Sequence, residues 1–128
     1  MPTIAETLPS TAALPDRRMS VRLDVLDQLD GRVVMYNIPI RVRDISAGGV
    51  ATESAIPFPI GSRHLLRFTT ADGVEVLIAG KVIHGMAAAM GARRLFLTGF
   101  EFVNGKSPKT AGDIERLLDA VRAHVSKN

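Results

Sequence analysis

Residues 62–84 read SRHLLRFTTADGVEVLIAGKVIH. Two runs, Ser62–Thr69 and Val74–His84, flank the turn residues Ala71-Asp72-Gly73. Gly tolerates the backbone angle of a tight reversal, and Asp bonds its own local amides, so this stretch predicts a β-hairpin. On its C-terminal side Gly85–Ala92 (GMAAAMGA) is a ragged run, longer and richer in alanine than a tight hairpin requires. Arg93–Val103 then resumes the strand pattern. On its N-terminal side Pro57-Phe58-Pro59-Ile60-Gly61 is a loop, and Val50–Glu53 a short strand set off by Gly48-Gly49.

Further upstream, Arg32–Ile45 places Val34, Tyr36, Ile38, Ile40 and Val42 on one face. Pro39 has no amide to donate, which puts this strand at an edge or at a bulge. Asp30-Gly31 is a hairpin-turn dipeptide. Before it Val21, Leu23 and Val25 alternate with Arg22 and Asp24, the period of a half-buried strand. About six strands joined by short turns, with no helix between them, favour an antiparallel sandwich or a closed barrel, and closure removes two unpaired edges. The last segment changes period: Ile114, Leu117, Leu118, Val121 and Val125 share one face of an α-helix. Ser107-Pro108 is a sound helix start, and Arg122 and Lys127 suit its C-terminal dipole.

The chain has 128 residues, enough for one domain with one core. It is 46% hydrophobic and 23% charged, with a mean hydropathy of +0.16. It contains no cysteine, which excludes disulfides, thiolate metal sites and a cysteine nucleophile. No apolar run approaches a membrane span, and residues 1–15 lack the basic and apolar regions of a signal peptide. A flexible N-terminal tail over 1–15 and a cytoplasmic location are the expectations. The three histidines are scattered, without metal-ligand spacing, and Ser46 sits in no nucleophile elbow, so no metal and no enzymatic activity are expected.

The net charge is only +3, yet twelve of the sixteen basic residues are Arg. Six of these precede Asp44: Arg17, Arg18, Arg22, Arg32, Arg41 and Arg43. Two constellations carry chemistry. Arg18-Met19-Ser20-Val21-Arg22 is an R-x-x-x-R preceded by Arg17, and Asp44-Ile45-Ser46-Ala47-Gly48-Gly49 is a D-x-S-x-x-G. Each alone is ordinary: paired arginines occur in most basic chains, and Asp and Gly make turns. Together they offer more. Guanidinium forks match phosphate oxygens and the O6/N7 edge of guanine, while a carboxylate accepts from guanine's N1–H and N2–H. Strand alternation would present Asp44 and Ser46 on one side, with Gly49 allowing close approach.

This arrangement resembles the PilZ domain family. The likeness rests on the two motifs, on Gly61 opening a strand, on Gly99-Phe100-Glu101-Phe102 ending the barrel, and on the C-terminal helix; it covers roughly residues 16–126. The resemblance implies an all-β fold, a six-stranded antiparallel β-barrel with one C-terminal α-helix. The barrel domain would span 16–128, with an arginine loop at 16–22, strands over about 21–103 and the helix over about 108–126. It further implies a bacterial receptor for the second messenger cyclic di-GMP, with no other cofactor. Arg18 and Arg22 would hold phosphates and guanine, and Asp44 would read N1 and N2. Ser46, Gly48 and Gly49 would complete the turn, and Arg17, at the position associated in the family with ligand number, would be compatible with an intercalated pair of ligand molecules. Ligand is expected to order residues 15–22, whose clustered charges repel without it.

Output would pass to a partner protein or through self-association, without nucleic acid and without membrane insertion. A PilZ-like adaptor that binds no nucleotide is the first alternative. A small nucleic-acid-binding barrel is the second, disfavoured because the six aromatic residues fall mostly at core-like positions rather than between basic ones.

Overall fold

A computed structural model describes residues 22–25 and 28–126. The residues Arg17 and Arg18, the tail over 1–15 and the start of the arginine loop lie outside the described residues. Among the described residues, seven strands precede one helix: β1 (Leu23–Asp24), β2 (Leu29–Val33), β3 (Ile38–Ile45), β4 (Gly49–Ser54), β5 (Arg63–Thr70), β6 (Glu75–Met90), β7 (Arg93–Phe102) and α1 (Pro108–Ser126).

Every pairing between them is antiparallel, and the pairings return on themselves in the order β3–β2–β5–β6–β7–β4–β3. The result is the closed six-stranded barrel, with β1 as an additional short strand beside β2 on the edge of β3. Alternation decides which side chains fill it. Along β3, Ile40 and Val42 point inward while Arg41 and Arg43 face out. Leu66 and Phe68 on β5, Val76, Ile78 and Val82 on β6, and Phe100 and Phe102 on β7 complete the interior. Each such side chain stabilises the fold by about 1.5–3 kcal/mol on burial.

Helix α1 packs on β5, β6 and β1 through Ile114, Leu117, Leu118 and Val121, all buried. The Ser107 hydroxyl caps it, accepting from the Thr110 amide at 3.3 Å. This helix is too polar to cross a membrane, and no helix among the described residues is long and apolar enough to do so.

Three sequence expectations need correction. Asp30-Gly31 is not a turn but lies inside β2, with Gly31 opposite Ile40 on one side and Phe68 on the other. Glycine is there for space: a Cβ would stand 2.9 Å from Val42 Cγ2 and 3.1 Å from Ile40 Cγ1. The chain reverses instead through a 3-10 turn at Met35–Asn37, where Tyr36 and Asn37 take φ of 66° and 51°. Tyr36, expected on the inward face, is consequently 86% exposed. The third correction concerns Gly85–Ala92. It is no ragged connection but the continuation of β6, paired residue by residue with β7 from Gly85↔Thr98 to Met90↔Arg93 and reversed at Gly91-Ala92. Alanine and methionine blurred the strand signal because neither is a strong β-former.

Pro39 behaves as its chemistry requires. It faces Arg32 of β2, while β4 begins to pair with β3 only at Arg41, so no ladder needs the missing amide on that side.

Candidate functional site

The site forms where β1, the end of β3 and the β3–β4 turn meet. Strand β1 lies against the last residues of β3, Leu23 opposite Ile45 and Asp24 opposite Asp44. The Val25 amide donates to the Arg43 carbonyl at 3.0 Å and fastens the chain just beyond. Arg22, one residue ahead of β1, is thereby brought to Asp44. Its Nη1 donates to Asp44 Oδ1 at 2.5 Å. The two sequence motifs, 22 residues apart in the chain, thus touch through one guanidinium and one carboxylate.

A bulge in β3 aims the carboxylate. Val42 faces Thr52 but Asp44 faces Ala51, so the ladder slips between them. Arg43 and Asp44 both stay off the interior, whereas Val42 and Ile45 on either side are buried. The end of the strand, not the bulge, parts Asp44 from Ser46. Strict alternation predicted that the two would stand on one side; in fact β3 ends at Ile45, and Ser46 turns into the barrel wall at 2% exposure. Its hydroxyl accepts from the Gly48 amide at 3.3 Å and its own amide donates to the Gly49 carbonyl at 2.9 Å. Ser46 therefore shapes the turn from within. Ala47 and Gly48 form the exposed crest, and the Gly48 carbonyl accepts from the Phe102 amide at 2.9 Å.

Gly49 is needed for an approach that the sequence did not specify. A Cβ on it would lie 2.2 Å from the carbonyl oxygen of Phe100 on β7, inside any allowed contact. What comes close is the neighbouring strand, and the glycine lets β4 and β7 pair at the mouth of the site.

In the sequence Arg41 and Arg43 stand out only as part of the basic surplus. In the structure both reach Glu53 on β4, Arg43 Nε at 3.3 Å and Arg41 Nη1 at 3.7 Å. The Glu53 carboxylate is largely covered, at 15% exposure, and the two arginines extend a cationic strip along β3 toward Asp44. The signal that would have joined them to the site was the bulge, which no residue type announces.

The chemistry on offer is a guanidinium, a carboxylate that it pairs with, and further arginines on the same outer face. The sequence profile of the PilZ domain matches residues 16–120, most of the chain. The chain belongs to the PilZ domain family. Among solved structures, this PilZ chain is similar to Escherichia coli YcgR in complex with c-di-GMP, at 16% identity and TM-score 0.65 over 87% of this chain and 48% of that one. K. pneumonia MrkH in its apo state superposes with TM-score 0.66 at 19% identity, covering 84% of this chain and 53% of that one. The Bacillus subtilis inhibitor of motility, MotI/DgrA, gives TM-score 0.62 at 20% identity, covering 88% and 53%. At such identities the likeness is one of fold, and the chain spans about half the length of these three relatives. A search of curated proteins finds no match.

Proposed function

We propose that this PilZ chain is a receptor for cyclic di-GMP. Arg17, Arg18 and Arg22 hold the ligand's phosphates and guanine O6/N7 edge, and Asp44 accepts from guanine N1–H and N2–H. The observation that carries this reading is the Arg22–Asp44 ion pair, because it unites the two motifs in one place. Ser46, Gly48 and Gly49 take part by fixing the turn that presents Asp44.

The pair is also easily opened. Arg22 is 53% exposed and Asp44 27%, and an ion pair so wetted is worth about 0–1 kcal/mol. A ligand bound at micromolar level supplies roughly 8 kcal/mol. Splitting the pair, so that the guanidinium turns to phosphate and the carboxylate to guanine, thus costs a small part of that. The fold of the relative solved with c-di-GMP supports the same assignment. The signal then passes to a separate protein or through self-association.

The experiment is competition for a fluorescent cyclic di-GMP. Unlabelled cyclic di-GMP displaces it at micromolar levels or better. Cyclic di-AMP competes at least about 100-fold less well, since adenine offers Asp44 no N1–H or N2–H donor. In the Asp44→Asn variant cyclic di-GMP binds about tenfold or more weakly and the preference over cyclic di-AMP shrinks. Equal competition by both dinucleotides defeats the assignment of Asp44. Displacement by single-stranded RNA with a steep salt dependence favours the nucleic-acid alternative instead.

A further inference from the structure

Beyond Val82, whose backbone still bonds to Gly61 and Ser62, β6 leaves β5 behind. From Ile83 to Met90 its outer edge faces no described strand, while its inner edge, after a bulge at Ile83, is paired with β7 from His84 to Met90. The chain there reads IHGMAAAMGA over residues 83–92 and carries no Lys, Arg, Asp, Glu or Pro. Folded proteins usually guard such an edge with a charge, a proline or a covering element, because a row of unpaired amides and carbonyls recruits another strand. The large side chains along it are also exposed: Ile83 at 46%, Met86 at 63% and Met90 at 61%.

The sequence of this edge is its own mirror. Gly85-Met86-Ala87-Ala88-Ala89-Met90-Gly91 reads the same in both directions about Ala88. Two identical strands paired antiparallel about a two-fold axis always meet in reversed order, so a palindrome sets like against like. With the axis at Ala88, Met86 of one copy faces Met90 of the other, and the pairing ends there because Gly91 already begins the turn. Ala88 faces itself, where a charged or bulky residue would meet its own repulsion. The middle of the new sheet would run Leu95–Ala88 in one copy and Ala88–Leu95 in the next, since Leu95 is the partner of Ala88 within the ribbon. The small alanines leave room on that face for the four methionine side chains, whose flexible thioethers fill irregular gaps.

We infer that the β6–β7 ribbon is a dimerisation element, in which the free edge of β6 pairs with the same edge of a second copy about Ala88 to form a four-stranded sheet β7–β6–β6–β7. This assignment is independent of nucleotide binding. The ribbon and the Arg22–Asp44 site draw on different strands, and the dimer needs no ligand to form.

Sedimentation equilibrium of the full chain without nucleotide, from about 1 to about 200 μM, tests it. The expected result is a concentration-dependent shift from 13.8 kDa to twice that mass. Ala88→Lys and Ala88→Glu each weaken the dimer at least about tenfold, and an equimolar mixture of the two variants restores it, because opposite charges then face one another at the axis. A second variant guards against misfolding. The native chain has no cysteine, so Ala88→Cys carries a single thiol, which air oxidation converts to a disulfide-linked dimer while a Glu115→Cys control on the helix does not couple. A wild-type chain that stays monomeric throughout overturns the inference. So does a dimer insensitive to both charges at position 88, or one that the mixture fails to restore.

Discussion

At the scale of single residues, glycine and aspartate in the D-x-S-x-x-G motif serve different ends. Asp44 is partly accessible and paired to an exposed guanidinium, which suits the ligand exchange proposed for it. Gly49 is buried against backbone. With Phe100 O 2.2 Å from where a methyl would go, neither side can yield without moving a strand. Gly49→Ala should lower stability by about 1–3 kcal/mol, the usual cost of overpacking, read as a drop in the denaturation midpoint at unchanged slope. Asp44→Asn, at a partly exposed position, should leave the stability within about 0.5 kcal/mol of wild type. A Gly49→Ala protein as stable as wild type would mean that β7 does not press on this turn. The residues of the candidate site were legible in the sequence as types and spacing. Their geometry was not, because the bulge that turns Asp44 outward and the turn that takes Ser46 inward both depend on how β4 pairs with β3, a long-range fact.

At the scale of elements, α1 was the plainest to read. Its apolar positions recur with the helical period, and those described are buried as that period implies. Its first turns also hold an ionic clamp: Asp113 Oδ2 accepts from Lys109 Nζ at 2.9 Å and Asp113 Oδ1 from Arg116 Nη2 at 2.9 Å. The Lys109 hydrogen bond is the main reason that the Asp113 carboxyl lies below its ordinary value, with Arg116 adding to it and burial opposing both. A carboxyl held low in the folded state adds stability above its unfolded pKa and surrenders it as pH falls through the folded one. Asp113→Asn should therefore melt about 2–4 °C below wild type at pH 7, with the gap closing as pH falls through the lowered folded-state pKa of Asp113. A gap that stays constant from pH 7 to acid would show that the loss is one of packing rather than charge. The strands were harder. Asp-Gly at 30–31 imitates a hairpin turn because glycine serves both reversals and crowded walls, and only the neighbours Ile40 and Val42 distinguish the two. The ribbon over 85–92 was missed for the opposite reason. A strand with no hydrophilic alternation gives no period to read, and its pairing with β7 supplies the order that its composition lacks.

At the scale of the whole molecule, the fold class was legible because many short runs with turns between them and no intervening helix leave few ways to hide their edges. Barrel closure does more than hide edges. It runs β3 between β1 and β2 on one side and β4 on the other, so the strand that bears Asp44 is held from both directions. On the proposed reading, that support would let Arg22 and Asp44 exchange their mutual pairing for a ligand without disturbing the core. Isothermal titration of the full chain with cyclic di-GMP, run in parallel on wild type and Arg22→Ala, tests this most directly. Wild type is expected to give saturable heat with a dissociation constant in the micromolar range or below, and an Arg22→Ala protein that melts as wild type does is expected to give none. Wild-type protein that gives no heat and no change in melting temperature under excess nucleotide would contradict it.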